Sequence, residues 1–417
     1  MVMMPSMNVK TETTIQLPLA FILYSLIAFV VSQCIFLLHV DTFIGGVYRT
    51  PNLWMGTHFL LLGWAVMVVM GAMYQLVPVA FLTPIWNERF GYVQFGITAM
   101  GITTFAIFLK IRPDLAVHAG GFAVLGVVMF LFQMVMTIRK QPQPNTMTWF
   151  VGAALLSFFT AILAGFGLSW NMAFGINIDH KALLQSHLVF GLIGWFSLLI
   201  FGFSYKMVPM FSLSHGFSMK WAKPAFFVYI AGMVSLLSSF WLDVSVLPVF
   251  GWFLLWTGFT CFGLDIKEIV RKRIKKKLDQ PFRFSLLSIL FGWFLHSGAF
   301  ILALVAPTNQ KLWGLIIYLY LMIWIIFSIV GYLFKIVPFL WWTHKYSSRM
   351  GQENVPTLKE MMNEKVGSMI YISFIIGVFG ITFASVIQSS IMAQVFQFMI
   401  LITTILYSMT IARVLWK

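Results

Sequence analysis

Twelve apolar stretches, each long enough to cross the hydrocarbon core of a bilayer, dominate this sequence of 417 residues. A transmembrane helix needs about 20 consecutive apolar residues, whereas the strands of a membrane β-barrel are short and alternate in polarity. The stretches here are continuous and rich in Leu, Ile, Phe and Met, and 60% of all residues are hydrophobic. The predicted helices span residues 17–40, 54–82, 91–110, 117–138, 147–171, 184–211, 222–242, 246–264, 284–306, 311–340, 367–388 and 393–414. The sequence therefore predicts an all-α polytopic membrane protein in which residues 1–417 form a single membrane domain.

The positions of Lys and Arg predict the orientation in the membrane. Of the 27 such residues, 22 lie in the N-terminal segment, in the loops after even-numbered helices and at the C-terminus. Because cytoplasmic loops carry an excess of positive charge, both termini are expected in the cytoplasm. The basic run KEIVRKRIKKKLDQPFR (267–283) indicates contact with anionic lipid headgroups, not nucleic acid. The first apolar run is too long for a signal-peptide core, so we expect the N-terminus to be retained.

A motif, W-x6-G-x5-V-P, recurs near the ends of the second, sixth and tenth helices. Its copies are Trp64/Gly71/Val77/Pro78, Trp195/Gly202/Val208/Pro209 and Trp324/Gly331/Val337/Pro338. Trp, Gly and Pro share one face of each helix, where Gly permits close helix approach. The tryptophans are typical of an interfacial aromatic belt, and the prolines predict a helix end or kink. The recurrence predicts three four-helix repeats with a pseudo-threefold arrangement, at approximately 17–138, 147–264 and 284–414.

The stretch HFLLLGW…GAMYQLVP (58–79) opens the second helix with a histidine. Together with twelve helices in three four-helix arcs, it resembles the catalytic subunit (subunit I) of haem-copper oxidases and the related large subunit of nitric oxide reductases. The resemblance implies that His58 is an axial haem ligand. It also implies a bacterial cytoplasmic membrane, a role in respiration or nitric oxide chemistry, and other respiratory or oxidase-assembly subunits as partners.

Most of the metal ligands of that family are missing from this sequence. The family's tenth helix carries two haem-ligating histidines and its seventh a pair for copper, yet residues 312–338 and 222–242 contain none. His187, in the sixth helix, is the candidate match for the remaining copper ligand. We therefore expect no oxygen reduction by the family mechanism. His58 lies six residues before its repeat tryptophan and His187 eight, a difference of about 200° around a helix, so the two would serve different pockets, or none.

The candidate cofactor-binding residues are His58, His187 and His296, and the first two are also candidate metal ligands. Neutral imidazole is a common ligand for haem iron and copper, so haem is the expected cofactor and copper a further candidate. With the predicted orientation, the outer-face histidines are His39, His58, His118, His180 and His187. The alternative is that helix-end histidines are interfacial polar groups and that His296, in mid-membrane, hydrogen-bonds a neighbouring helix.

Charged groups at membrane depth are scarce. All twelve carboxylates fall in predicted loops or at helix ends, which excludes a carboxylate proton relay and counts against a proton-coupled transporter. Lys206 and Lys335 each stand three residues before a repeat proline, and we expect both to extend to the headgroups.

Three functions remain open from the sequence. The first is a redox, sensing or nitric-oxide-related haem protein. The second is a protein that handles or transports haem or copper for a respiratory oxidase. The third is a cofactor-free membrane scaffold.

Overall fold

Residues 14–417, apart from 176, 243 and 353, are described by a computed structural model. This part of the chain is all-helical, with an isolated β-bridge between Ser214 and Arg273. The prediction that the N-terminus is retained concerns a segment that lies largely outside the described residues.

Twelve helices long and apolar enough to span a membrane occupy the described part of the chain, as predicted. They are α1 (Gln16–Ile44), α2 (Pro51–Phe81), α3 (Glu88–Ile111), α4 (Pro113–Ile138), α5 (Thr146–Phe174), α6 (His180–Ser212), α7 (Ala222–Trp241), α8 (Val246–Arg271), α9 (Gln280–Val305), α10 (Gln310–Arg349), α11 (Glu364–Ile387) and α12 (Ser390–Val414). The chain is therefore a polytopic integral membrane protein in a lipid bilayer.

Helices α2, α6 and α10 form the centre of the bundle. In their most apolar windows 72%, 83% and 72% of residues are buried, against 28–50% in the other nine spans described. The repeat tryptophans Trp64, Trp195 and Trp324 are at most 1% exposed. Trp64 stacks on Phe29 of α1 and Trp195 on Phe158 of α5, with ring centroids 4.1 and 4.3 Å apart. The interpretation of these tryptophans as an aromatic belt is therefore wrong, because they are packed between helices.

Each central helix contains a π-helical segment that includes its tryptophan. The segments are Phe59–Val66, Val189–Ser197 and Tyr320–Ile326. A π-helical turn is wider than an α-helical turn and is frequent at functional sites. In α2 the segment begins at the residue after His58, and in α6 it begins two residues after His187.

The repeat prolines lie inside their helices. After Pro78 and Pro209, α2 and α6 end at Leu82 and Leu213, which adopt left-handed conformations and donate their N–H groups to the proline carbonyls. Helix α10 instead continues well past Pro338 and its predicted end. Its extension is held by side chains, since the indole N–H of Trp342 donates to the carbonyl of Pro356 over 2.6 Å.

Helix α8 also continues past its predicted end, which places the carboxylate of Asp265 inside the helix. The helix continues to Arg271, so Asp265 lies within it and is fully buried. It accepts hydrogen bonds from the Tyr205 hydroxyl and the Trp221 backbone N–H, both at 3.2 Å. The prediction that every carboxylate falls in a loop or at a helix end is therefore wrong for Asp265, because its hydrogen bonds compensate for its burial.

Helices α3 and α4 approach each other closely at two glycines. A Cβ on Gly101 would lie 2.5 Å from the backbone nitrogen of Ala123, and one on Gly126 would lie 2.7 Å from the Cα of Thr98. These distances are too short for any larger residue without backbone movement. The pair of glycines thus fixes how α3 and α4 flank α2.

Candidate functional site: a histidine-lined cavity

An apolar cavity lies beside the second and sixth helices, with walls from α2, α3, α4, α5 and α6. Its volume is about 90 Å³, below the range of about 300–1,000 Å³ usual for small-molecule sites, and part of its space is continuous with the surroundings. The lining residues are His58, Leu61, Leu62, Val66, Phe105, Gly120, Ala123, Val124, Phe158, Ala161, Ile162, Gly165, Phe166, His187, Leu188, Gly191, Leu192, Trp195 and Phe196. The two histidines are the titratable groups of this wall.

His58 is oriented by its own helix. Its Nδ1 lies 2.8 Å from the backbone carbonyl oxygen of Trp54, one turn earlier. Since a carbonyl oxygen only accepts hydrogen bonds, Nδ1 carries the proton in the neutral ring and Nε2 keeps its lone pair. Phe105 of α3 packs edge-to-face against the imidazole, with centroids 5.3 Å apart. The ring is thus held in the tautomer in which Nε2 carries the free lone pair.

His187 is oriented by a neighbouring helix. Its Nδ1 lies 2.8 Å from the carbonyl oxygen of Ala161 in α5, which assigns the same tautomer as in His58. The imidazole lies against Gly165, where an added Cβ would be 2.8 Å from the His187 Cε1 and 3.1 Å from its Nδ1. The ring therefore depends on the absence of a side chain at position 165.

The structure brings His58 and His187 to one cavity. Both side chains line its walls. The expectation that they serve different pockets, or none, is wrong, because the cavity lies at the junction of two helices and is approached from each side by a different one. The two histidines are also anchored differently. His58 is bound to the carbonyl of Trp54 in its own helix, whereas His187 is bound to the carbonyl of Ala161 in α5.

His296 lies elsewhere, in a polar network in the middle of the bundle. It is fully buried, with Nδ1 2.7 Å from the carbonyl oxygen of Gly292 and Nε2 3.1 Å from the hydroxyl of Tyr229. The Tyr229 hydroxyl contacts that of Tyr320 at 3.2 Å, and Tyr320 contacts Ser197 at 2.7 Å. Both imidazole nitrogens thus have hydrogen-bond partners, and the network joins α6, α7, α9 and α10.

The remaining outer-face histidines do not line the cavity. His180 lies 3.3 Å from the side-chain amide of Asn171, His118 packs against Phe174, and His39 occupies a break in α1. Among the described residues, no group of three or more His, Cys, Asp or Glu side chains could hold a metal ion. The histidine pair at the cavity is therefore the candidate site.

The two imidazoles and the apolar walls have the chemistry that haem requires, and the cavity would have to widen to admit the macrocycle. Two neutral imidazoles can present Nε2 lone pairs to iron, and the carbonyl bonds to Nδ1 are the outer-shell contacts that orient metal-ligating histidines. Two imidazoles can also bind a copper ion. No Lys or Arg is among the lining residues, so haem propionates would have to extend beyond these walls.

Part of this site was not visible in the sequence. Gly165, Ala161 and Phe105 are ordinary residues of apolar helices, and no motif marks them. The sequence feature that indicated the site was a histidine at the start of a transmembrane helix. This feature marks His58 clearly and His187 less specifically.

Comparison with known proteins adds no relative from which a function could be transferred. No protein-family model matches the chain, and no curated protein matches its sequence. A function for the chain is therefore argued from the cavity and its two histidines.

Proposed function

We propose that this chain is a haem-binding membrane protein of the haem-copper oxidase subunit I type, without a complete oxygen-reducing haem-copper centre. His58 and His187 would be the two axial ligands. The observation that supports this most is that both histidines reach one apolar cavity with Nδ1 bound to a backbone carbonyl. We assign His296 a structural role, because both of its imidazole nitrogens already have hydrogen-bond partners.

The proposed architecture is three four-helix repeats around a pseudo-threefold axis, with both termini in the cytoplasm of a bacterial cell. The π-helical segments at corresponding places in α2, α6 and α10 support the repeats, as does the burial of those three helices at the centre. The excess of Lys and Arg in alternate loops supports the orientation. In this arrangement the cavity lies towards the outer side of the membrane.

The protein's own groups would bind and orient the haem. The carbonyls of Trp54 and Ala161 hold the imidazoles in the Nδ1–H tautomer and increase the basicity of Nε2. The hydrocarbon walls exclude water, a condition that tunes reduction potential. Haem held by His58 and His187 would supply one-electron chemistry and would bind oxygen only on losing one of the two histidines. This favours an electron-transfer, sensing or nitric-oxide-related role over oxygen reduction.

A second function is supported by the shape of the cavity. Because part of its space is continuous with the surroundings, a cofactor could enter and leave, as a protein that delivers haem or copper to a respiratory oxidase requires. A cofactor-free scaffold is the third alternative. Partners from the respiratory chain or from oxidase assembly fit either of the first two.

The test is an absorption spectrum of purified protein after expression with sufficient haem, together with metal analysis. We expect a six-coordinate, low-spin haem in the wild-type protein. His58→Ala and His187→Ala should each abolish these bands or convert them to a five-coordinate form, because each variant removes one axial nitrogen. His344→Ala, at an exposed position near the end of α10, is the control and should leave the spectrum unchanged.

The outcomes separate the three alternatives. Tightly bound haem with reversible reduction supports the proposed function. Haem or copper lost on dilution supports cofactor handling. Protein that binds neither, or that keeps a native haem spectrum in both cavity variants, contradicts the assignment of His58 and His187.

A further inference from the structure

A second cavity, rich in charge, lies on the opposite side of the bundle from the histidines, at the face predicted to be cytoplasmic. It contains about 930 Å³ of space not filled by protein atoms, part of it open. Three segments form it: the loop between α8 and α9, the inner part of α10, and the loop between α10 and α11. We call it the basic cleft, and its charged residues are Lys275, Lys277, Asp279, Lys335, Lys359 and Glu364.

Asp279 connects two lysines within the cleft. One carboxylate oxygen is 2.9 Å from the Nζ of Lys275, and the other is in contact with the Nζ of Lys335. The side chains of Lys335 and Asp279 are only 20% and 16% exposed. The expectation that Lys335 extends to the headgroups is therefore wrong, because a carboxylate 56 residues earlier in the chain holds it at the cleft.

The cleft carries more positive than negative charge. Four lysines face two carboxylates, and the single charge of Asp279 is shared between two ammonium groups. Lys359 lies 3.9 Å from Glu364 in a long and exposed contact, and within the described residues Lys277 forms no ion pair. Each ammonium group has three donors, so Lys275 and Lys335 keep donors that Asp279 does not use. The partly buried site also strengthens electrostatic attraction relative to bulk water.

We infer that the basic cleft binds a phosphate group carried by a larger molecule. Lysine is an established phosphate ligand that acts as a point charge, and an anion with more than one charge would balance the excess of the four lysines. The cleft is larger than one phosphate, which leaves room for a ligand that has a further part. Both a soluble diphosphate compound and an anionic lipid headgroup carry this chemistry.

Lys206 provides a matched comparison within the same chain. Like Lys335, it stands three residues before a repeat proline. Unlike Lys335, it is exposed and does not line the basic cleft. A phosphate site in the cleft should therefore depend on Lys335 and not on Lys206, whereas general attraction of anions to a basic surface should depend on both.

The experiment measures binding to the purified, delipidated protein in neutral detergent. One arm titrates inorganic pyrophosphate by calorimetry, and the other measures retention of phosphatidylglycerol against phosphatidylcholine by native mass spectrometry. We expect Lys335→Gln and Lys277→Gln each to weaken binding about tenfold, because each removes a charge-assisted contact to phosphate. Lys277→Gln breaks no described ion pair, so it tests the site even if Lys335→Gln unfolds. Lys206→Gln should bind as the wild-type protein does.

Each outcome decides the proposal or the source of its ligand. Binding of pyrophosphate that requires Lys335 and Lys277 supports a soluble ligand, and selective retention of phosphatidylglycerol with the same requirement supports a lipid. Binding of neither probe would overturn the proposal. An equal loss in the Lys206→Gln variant would overturn it as well, since it would show attraction to the basic surface in general.

Discussion

Substitution of Gly165 by alanine should displace His187 without removing it. The added Cβ would lie 2.8 Å from Cε1 of the imidazole and 3.1 Å from Nδ1. Cβ contacts below 3.0 Å are essentially unknown and those near 3.1 Å are rare, and movement of the ring is opposed because its Nδ1 is bound to the Ala161 carbonyl at 2.8 Å. Either the hydrogen bond breaks or α5 and α6 separate.

The magnitude follows from the cost of overpacking. Inserting a methyl group into a filled site typically costs about 1–3 kcal/mol. If this free energy is lost from haem binding because the His187 ring is displaced, haem affinity should fall about 5- to 150-fold. The spectrum should shift at the same time from six-coordinate towards five-coordinate haem, because the His187 Nε2 no longer points at the iron.

The assay is a haem titration of the purified apoprotein followed by absorption, with thermal unfolding of the same samples. Gly152→Ala is the control, since it lies on the same helix and an added Cβ there meets nothing within 4 Å. It should leave both haem affinity and spectrum unchanged. If Gly165→Ala binds haem with wild-type affinity and spectrum while remaining folded, His187 is not an axial ligand and the reasoning fails.

Three further predictions concern the fold and the chemistry. Cysteines at Lys276 and Gln352 should be shielded from impermeant thiol reagents in intact cells while one at Arg49 reacts, and the reverse pattern would invert the proposed orientation. Gly101→Ala should lower the free energy of unfolding by about 1–3 kcal/mol in denaturant titrations, because its Cβ would meet the backbone of α4, whereas Gly96→Ala, with nothing within 4 Å, should not. The purified protein should not reduce oxygen to water with a quinol or cytochrome donor, and sustained cyanide-sensitive turnover would show that other ligands replace the missing histidines.

Apolar runs predicted all twelve helices because the bilayer imposes a minimum length on each span. The ends were less predictable, since charge and proline do not stop a helix that finds partners at its end. Residues 265–271 continue α8 past its apolar run, and α10 passes through Pro338 to Arg349. In both cases tertiary hydrogen bonds, such as those to Asp265 and from Trp342, stabilise residues that look like a loop in sequence.

The convergence of the two histidines could not be predicted for a different reason. His58 and His187 are 129 residues apart, and helical geometry from an ideal α-helix gave the wrong relation between them. Both helices contain a π-helical segment, so these segments do not remove the offset. The two histidines meet because the cavity lies between α2 and α6, and no pattern in the sequence marks how those helices face each other. The pairing of Lys335 with Asp279 was missed similarly, because it depends on how the loop before α9 folds back onto α10.

The π-helical segment Phe59–Val66 also sets how easily this protein could change during evolution. A π-helical turn holds about one residue more than an α-helical turn, so an in-frame deletion of one codon here would let the segment relax into regular α-helix. Because the wider turn is what accommodates the extra residue, the residues before the deletion would keep their orientation around the helix axis, so His58 would stay at the cavity while Trp64 kept its place against Phe29. A lineage could thus lose one codon from this segment and still inherit both the histidine at the cavity and the complete membrane bundle.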